Sequence, residues 1–171
     1  QMDRVVALAQ GYEKSFLDYV AAVKKGRDAE AKIVESGRTV EKLAVAIQER
    51  LVAEDAADKT NAGDSMRLQV LIDVDRAASL MLQARRHEKN FQIRGDRKYI
   101  DQVKDVTAQA EAMMKKVRAD DPRPEQVKSV DEVLKAIAVY KASFEVFVAS
   151  IDERRALESS FAKAAEAIAG E

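Results

Sequence analysis

The apolar residues of the first fifty positions recur at alternating steps of four and three. Val5, Ala9, Tyr12, Phe16, Tyr19, Val23, Gly26, Glu30, Ile33, Gly37, Val40, Ala44, Ile47 and Leu51 keep this spacing over about six heptads, with Glu30 the only charged member. A mean repeat of 3.5 residues lines up one face of an α-helix, and that face is stable only when it packs on other helices. The spacing therefore predicts a long helix over residues 3–54. Gly26 and Gly37 lie on the seam, where each lowers helix propensity by up to about 1 kcal/mol relative to Ala. Their expected benefit is close approach of a neighbouring helix.

The remainder of the chain reads as three more helices. Residues 55–64 (DAADKTNAGD) form a polar turn in which Asn61 and Gly63 are stop signals and Asp64 is an N-cap. A second helix is predicted over 65–94, with a seam of Leu71, Val74, Ala78, Met81, Arg85 and Glu88 flanked by Val70, Ala77, Ala84 and Phe91. Gly95 suits the position just past a helix end, and Asp96 suits the N-cap of the next. A third helix is predicted over 97–119, with Tyr99, Val103, Val106, Ala110, Met113 and Val117 on its seam. Pro122 and Pro124 mark residues 120–124 (DDPRP) as a turn. A fourth helix is predicted over 125–169, along Val130, Val133, Ile137, Tyr140, Phe144, Phe147, Ile151, Arg154, Glu158, Phe161, Ala165 and Ile168.

Two helices are long and two are about half as long, and short connections make neighbours antiparallel. The expected fold is all-α. It is an elongated antiparallel helical bundle with a four-helix module over residues 27–152 and a stem of 1–26 and 153–171. Two stem helices cannot bury Val5, Tyr12, Phe16, Tyr19, Val23, Phe161 and Ile168 between them. Each large side chain gains about 1.5–3 kcal/mol on burial, so the stem is expected to recruit further helices. They would come from a second copy of the chain, making a homodimer, or from a hairpin preceding Gln1.

Composition narrows the function. A length of 171 residues fits a single domain, and 47% hydrophobic residues suffice for a core. The net charge of −1 and the absence of Trp argue against a nucleic-acid partner. The absence of Cys excludes disulfides, thiolate metal sites and Cys nucleophiles. No run of 18 apolar residues predicts a transmembrane helix, and no signal peptide is present in the sequence. The Gln1-Met2 start is expected of a piece cut from a longer protein, with membrane helices lying outside it.

The chain also repeats itself. Residues 3–21 (DRVVALAQGYEKSFLDYVA) align without gaps on 131–149 (DEVLKAIAVYKASFEVFVA). The shared residues are Asp3/Asp131, Val5/Val133, Tyr12/Tyr140, Ser15/Ser143, Phe16/Phe144, Val20/Val148 and Ala21/Ala149. This reads as the end of one helical unit followed by a complete second unit. It predicts an upstream hairpin equivalent to the second and third helices.

The candidate chemistry centres on residues 84–100 (ARRHEKNFQIRGDRKYI), which hold six basic residues against two acids and the only His. Arg85 and Glu88 fall on the predicted seam, three residues apart. They read either as a structural ion pair that fixes register or as a site where Arg85, with Arg86 or Arg94, meets a ligand carboxylate through its planar fork. Arg154 and Glu158 repeat the theme on the fourth helix, with Arg155 beside them. By length these fall near the level of Arg94, Arg97 and Glu30, as a polar layer that is either a binding site or a solvated girdle. Tyr140, Phe144, Met81 and Tyr99 read as plain core or as the lining of a small cavity. His87, without Cys or a second His, is a poor metal ligand and is expected to face solvent. No metal, cofactor or catalytic residue is expected, because the sequence has no Gly-rich phosphate loop and no nucleophile arrangement.

The run ARRHEKNFQIRGDRKYIDQV (84–103), preceded by YEKSFLDYV (12–20) and followed by YKASFEVFV (140–148), resembles the helical bimodular sensor domain of bacterial chemoreceptors and sensor histidine kinases. The resemblance spans essentially the whole chain and about the C-terminal two thirds of that domain; the family's first hairpin has no counterpart here. It implies two stacked four-helix modules, dimerisation and an extracytoplasmic, periplasmic location. It also implies recognition of small molecules, often organic acids, with signals passed through flanking transmembrane helices to chemotaxis or two-component pathways. The expected function is thus ligand sensing for a small anion. The runner-up is a purely structural dimerising helical domain without a ligand, and an enzyme comes third.

Overall fold

A computed structural model describes the backbone of residues 2–57 and 64–169 and the side chains of residues 6–57 and 65–167. Four helices account for it: α1 (Met2–Ala57), α2 (Asp64–Arg94), α3 (Lys98–Asp120) and α4 (Pro124–Ala169), with no strand among the described residues. Asn61 and Gly63 of the expected first turn lie outside the described residues, as do the side chains of Val5, Asp64 and Ile168. No helix among the described residues is long and apolar enough to cross a membrane.

The two described turns follow from their residues. Gly95 has φ +66°, a left-handed conformation that favours glycine, and its N–H donates to the Phe91 carbonyl at 2.8 Å. Asp96 then accepts the Lys98 N–H on Oδ1 at 3.0 Å, so it serves the α3 start although Arg97 is the residue next to it. At the second turn the Asp121 N–H donates to the Val117 carbonyl at 3.0 Å. The Asp121 carboxylate, 1% exposed, accepts a two-pronged bond from Arg123 at 2.7 and 2.6 Å. Arg123 also reaches Glu54 of α1, and Pro124 opens α4, where its missing N–H costs nothing.

Packing divides the chain into two compact units, a central one of Ile33–Lys141 and a terminal one of Gln1–Lys32 with Ala142–Glu171. These divisions lie closer to the middle of the sequence than the module and stem boundaries read from the spacing. In the central unit the second half of the α1 seam is buried: Ile33, Gly37, Val40, Ala44, Ile47 and Leu51. Also buried in this unit are Val74, Met81 and Phe91 of α2, Val103, Ala110 and Val117 of α3, and Val130, Val133 and Ile137 of α4. Ion pairs join α1 to α2 (Asp55–Arg67, 3.3 Å), and α3 to α4 (Glu111–Lys141, 2.7 Å; Arg118–Asp131, 2.9 Å). Lys116 of α3 bonds Asp73 of α2. Rising numbers on one helix meet falling numbers on the next, an arrangement compatible with an antiparallel four-helix bundle.

The register of α2 differs from the one read off the sequence. Its buried line is Val70, Val74, Ala77, Met81, Ala84, Glu88 and Phe91, so Val74, Met81 and Glu88 keep their expected seam positions and the expected flank takes the others. Leu71, Ala78 and Arg85 are half-buried beside it. Both lines obey the same spacing, and two adjacent stripes of small and apolar residues on α2 make them hard to separate by pattern alone. On α3 the same shift by one puts Met114 rather than Met113 in the core.

The terminal unit has two helices. Tyr12 and Tyr19 of α1 meet Phe161 of α4 with ring centroids 5.4 and 5.9 Å apart. The Tyr19 hydroxyl donates to Glu158 at 3.2 Å, Lys25 pairs with Glu153 at 3.5 Å, and a Cβ on Gly26 would come within 2.6 Å of Ser150 Oγ. Gly26 thus permits the close approach expected of it. The early α1 seam is covered only in part: Tyr19 and Val23 are half-buried, but Tyr12 is 44% and Phe16 51% exposed, as is Val20 beside the seam at 49%.

Candidate functional site

The central unit buries one carboxylate on the α2 seam. Glu88 is 1% exposed, and burying an ionised carboxylate is expensive unless donors replace its water. Tyr140 of α4 donates its hydroxyl to Oε2 at 3.0 Å, Gln92 donates to Oε1 at 3.1 Å, and the Lys89 ammonium lies 3.4 Å from Oε1. Tyr140 is itself fully buried. Burial pushes its phenol well above the ordinary value, the Glu88 charge and hydrogen bond raise it further, and the positive charge of Arg85 pulls the other way. A phenol so held stays protonated and serves as a fixed donor.

Arg85 does not pair with Glu88 as the shared-seam reading expects. Its side chain crosses the bare backbone of α1 at Gly37, where an added Cβ would meet Arg85 Cδ at 3.1 Å and Nε at 3.6 Å. Among the described residues Arg85 forms no hydrogen bond or ion pair. It is therefore a half-buried cation, close enough to Tyr140 to act on it, whose fork is not engaged by a protein carboxylate. The reason is geometric: Ala84 holds the seam position, which turns Arg85 onto the flank toward Gly37 while Glu88 faces Tyr140.

The other expected site residues are dispersed. Arg94, exposed, donates to the Tyr99 hydroxyl at 3.0 Å, with its guanidinium carbon 6.0 Å from the ring centre. His87 stacks on the same ring at 6.3 Å and is half-buried rather than solvent-facing, with Nδ1 buried and unpartnered. Arg86 points outward, exposed. Arg154, half-buried in the terminal unit, donates to the Ser150 carbonyl at 3.4 Å, and Arg155 is exposed. Glu158 takes Tyr19 as its donor, not Arg154. Met81, Tyr99, Tyr140 and Phe144 are all core residues.

Sequence reading missed the Glu88–Tyr140 bond and the seat of Arg85 on Gly37. The available signal for the first was a carboxylate and a phenol both at seam positions of different helices. Glu88 is fully engaged by its donors and is a poor general base. Among the described residues no group of His, Cys, Asp or Glu is arranged to hold a metal ion. What remains at this place is a half-buried guanidinium, Arg85, with no anionic partner among the described residues. No family model matches the chain, and comparison with curated proteins and with solved structures gives no significant match.

Proposed function

We propose that this chain is the extracytoplasmic, periplasmic ligand-binding domain of a transmembrane signalling receptor, of the chemoreceptor or sensor histidine kinase type. It recognises a small anion such as an organic acid and is not an enzyme. The observation that carries this reading is Arg85, a half-buried guanidinium over Gly37 with no anionic partner among the described residues. A guanidinium cannot shed its proton, so an anion that docks there gains charge-assisted bonds without displacing an internal pair. The resemblance of residues 84–103 to the helical bimodular sensor supports the same class. In this reading the helices form an elongated antiparallel bundle between membrane helices.

The test is a thermal-shift screen of the chain against organic and aromatic acids, repeated on Arg85→Met. A ligand at one hundred times its dissociation constant should stabilise by about 2.7 kcal/mol, and the variant should lose that shift while remaining folded. An acid that shifts both proteins equally removes Arg85 from the site; a screen with no shift sinks the sensing reading. The structural reading keeps one observation of its own, the exposed Tyr12, Phe16 and Val20, which a homodimer through the terminal unit would cover. Light scattering that finds a strict monomer counts against that alternative.

A further inference from the structure

We infer that the terminal unit carries a second, independent site, a groove between α1 and α4 that takes a small α-hydroxy or α-amino acid with a short apolar side chain. The groove encloses about 540 Å³ and is lined by Ala21, Lys24, Lys25, Asp28, Ala29 and Lys32 of α1 and by Ala142, Ser143 and Val146 of α4. Three ammonium groups and one carboxylate surround an alanine and valine floor. Among the described residues neither Lys24 nor Asp28 has a hydrogen bond or ion pair, and Lys25 has only a 3.5 Å pairing with the half-exposed Glu153. Lys32 has a partner of its own, so Lys24 and Lys25 are the ammonium groups that select a carboxylate, and the Asp beside them selects a donor on the same molecule. The alanines and Val146 give the open groove an apolar floor that suits a short aliphatic side chain.

Ser143 is the independent observation. Four serine and threonine residues are buried among the described residues: Ser36, Thr107, Ser143 and Ser150. Three of them donate to a backbone carbonyl in the preceding turn, at 3.1, 2.8 and 2.7 Å respectively for Ser36, Thr107 and Ser150. Ser143 does not, although it is only 7% exposed. Its counterpart in the repeat, Ser15, makes the ordinary bond to the Gly11 carbonyl at 3.0 Å. Its oxygen is not among the sealed, unpartnered polar atoms of the described residues, so the hydroxyl opens onto the groove it lines and is free to bond what enters there. A ligand carboxylate or hydroxyl would satisfy it. The inference does not rest on Arg85, which belongs to the central unit.

Four probes of one shape decide it: valine, 2-hydroxyisovalerate, isovalerate without the donor, and isobutylamine without the carboxylate. Each is titrated into the chain at millimolar concentration, with the amide signals of Ala21, Ala29, Ala142 and Val146 as readout. Valine or 2-hydroxyisovalerate should move these signals and bind at least about tenfold more tightly than the two truncated probes. Lys25→Met and Ser143→Ala should each weaken binding, while Lys104→Met, at an exposed position of the central unit, should leave it unchanged. Asp28→Asn separates the two sources, weakening valine and sparing the hydroxy acid. Equal binding of all four probes, or unmoved groove signals with valine and 2-hydroxyisovalerate, overturns the inference whatever the outcome of the Arg85 screen.

Discussion

The chain contains one sequence motif in two settings. Tyr140, Phe144 and Val148 of α4 are 0, 1 and 9% exposed; their counterparts Tyr12, Phe16 and Val20 of α1 are 44, 51 and 49% exposed. The residues are the same and both copies are helical, so neither propensity nor periodicity accounts for the difference. Position in the chain does. Tyr140 belongs to the central unit, where α2 and α3 supply further walls, and Phe144 and Val148 follow it within the next turns of α4, whereas the α1 copy lies toward the chain end with α4 as its described neighbour. A heptad seam specifies which face of a helix will be buried if something is there to bury it.

Truncation of the aromatic pair should give the largest contrast. Phe144→Ala should cost about 3–5 kcal/mol in urea unfolding, because a fully packed ring is removed. Phe16→Ala should cost less than about 1 kcal/mol, since half of that ring already faces water. Equal losses would break the comparison and mean that the α1 face is covered in solution. Removing the phenolic oxygens should give the next effect. Tyr140→Phe takes a donor from a buried carboxylate and should destabilise by about 1.5–3 kcal/mol, whereas Tyr12→Phe should stay within about 0.5 kcal/mol of zero.

Acid should act on the central unit through specific carboxylates. Bonds from Lys115 and Lys141 hold Glu111 down at about 2. Burial alone would raise Asp73, but bonds from Lys116 and Gln69 outweigh it and leave it below the ordinary value; Arg123 lowers Asp121 in the same way. Each folded-state value is depressed, so each contribution is present above the ordinary carboxylate range and is lost as pH falls from there toward 2. Melting temperature should therefore drop over that window, and Glu111→Gln should flatten part of the slope. A steeper slope in that variant would contradict the assignment. The smallest effect belongs to Gly11, around which an added Cβ meets nothing within 4 Å. Gly11→Ala should stabilise by about 0.5–1 kcal/mol through helix propensity, and a loss of stability would reveal a neighbour packed there.

The helices and their breaks were legible because the signals were local: a 4,3 spacing, Gly95, and the Pro122 and Pro124 pair. The α2 register was not, because Val70, Ala77 and Ala84 lie one residue ahead of Leu71, Ala78 and Arg85 and either stripe satisfies the rule. That ambiguity carried Arg85 onto the seam, where a bond to Glu88 was one of its two readings. The candidate site suffered in proportion. Its charged residues were legible as a local excess, but which cation lacks a partner depends on the rotation of α2 against Gly37, and no spacing encodes that. Ser143 was visible only as a match to Ser15, since an absent hydrogen bond leaves no mark in a sequence.

The three-residue reversal at Gly95 also orders events in time. Arg94 and Tyr99 meet across five residues, while Tyr19 and Glu158 meet across 139. Closing the longer loop costs about 3 kcal/mol more in chain entropy if the intervening chain is still unordered. The α2–α3 hairpin is thus the cheapest long contact to form and the natural nucleus, with the ends joining only after the intervening helices have shortened the path. On the reverse journey the ends part first. Amide exchange should therefore be fastest in the early turns of α1 and the last turns of α4, which are also the turns that have the least packed around them.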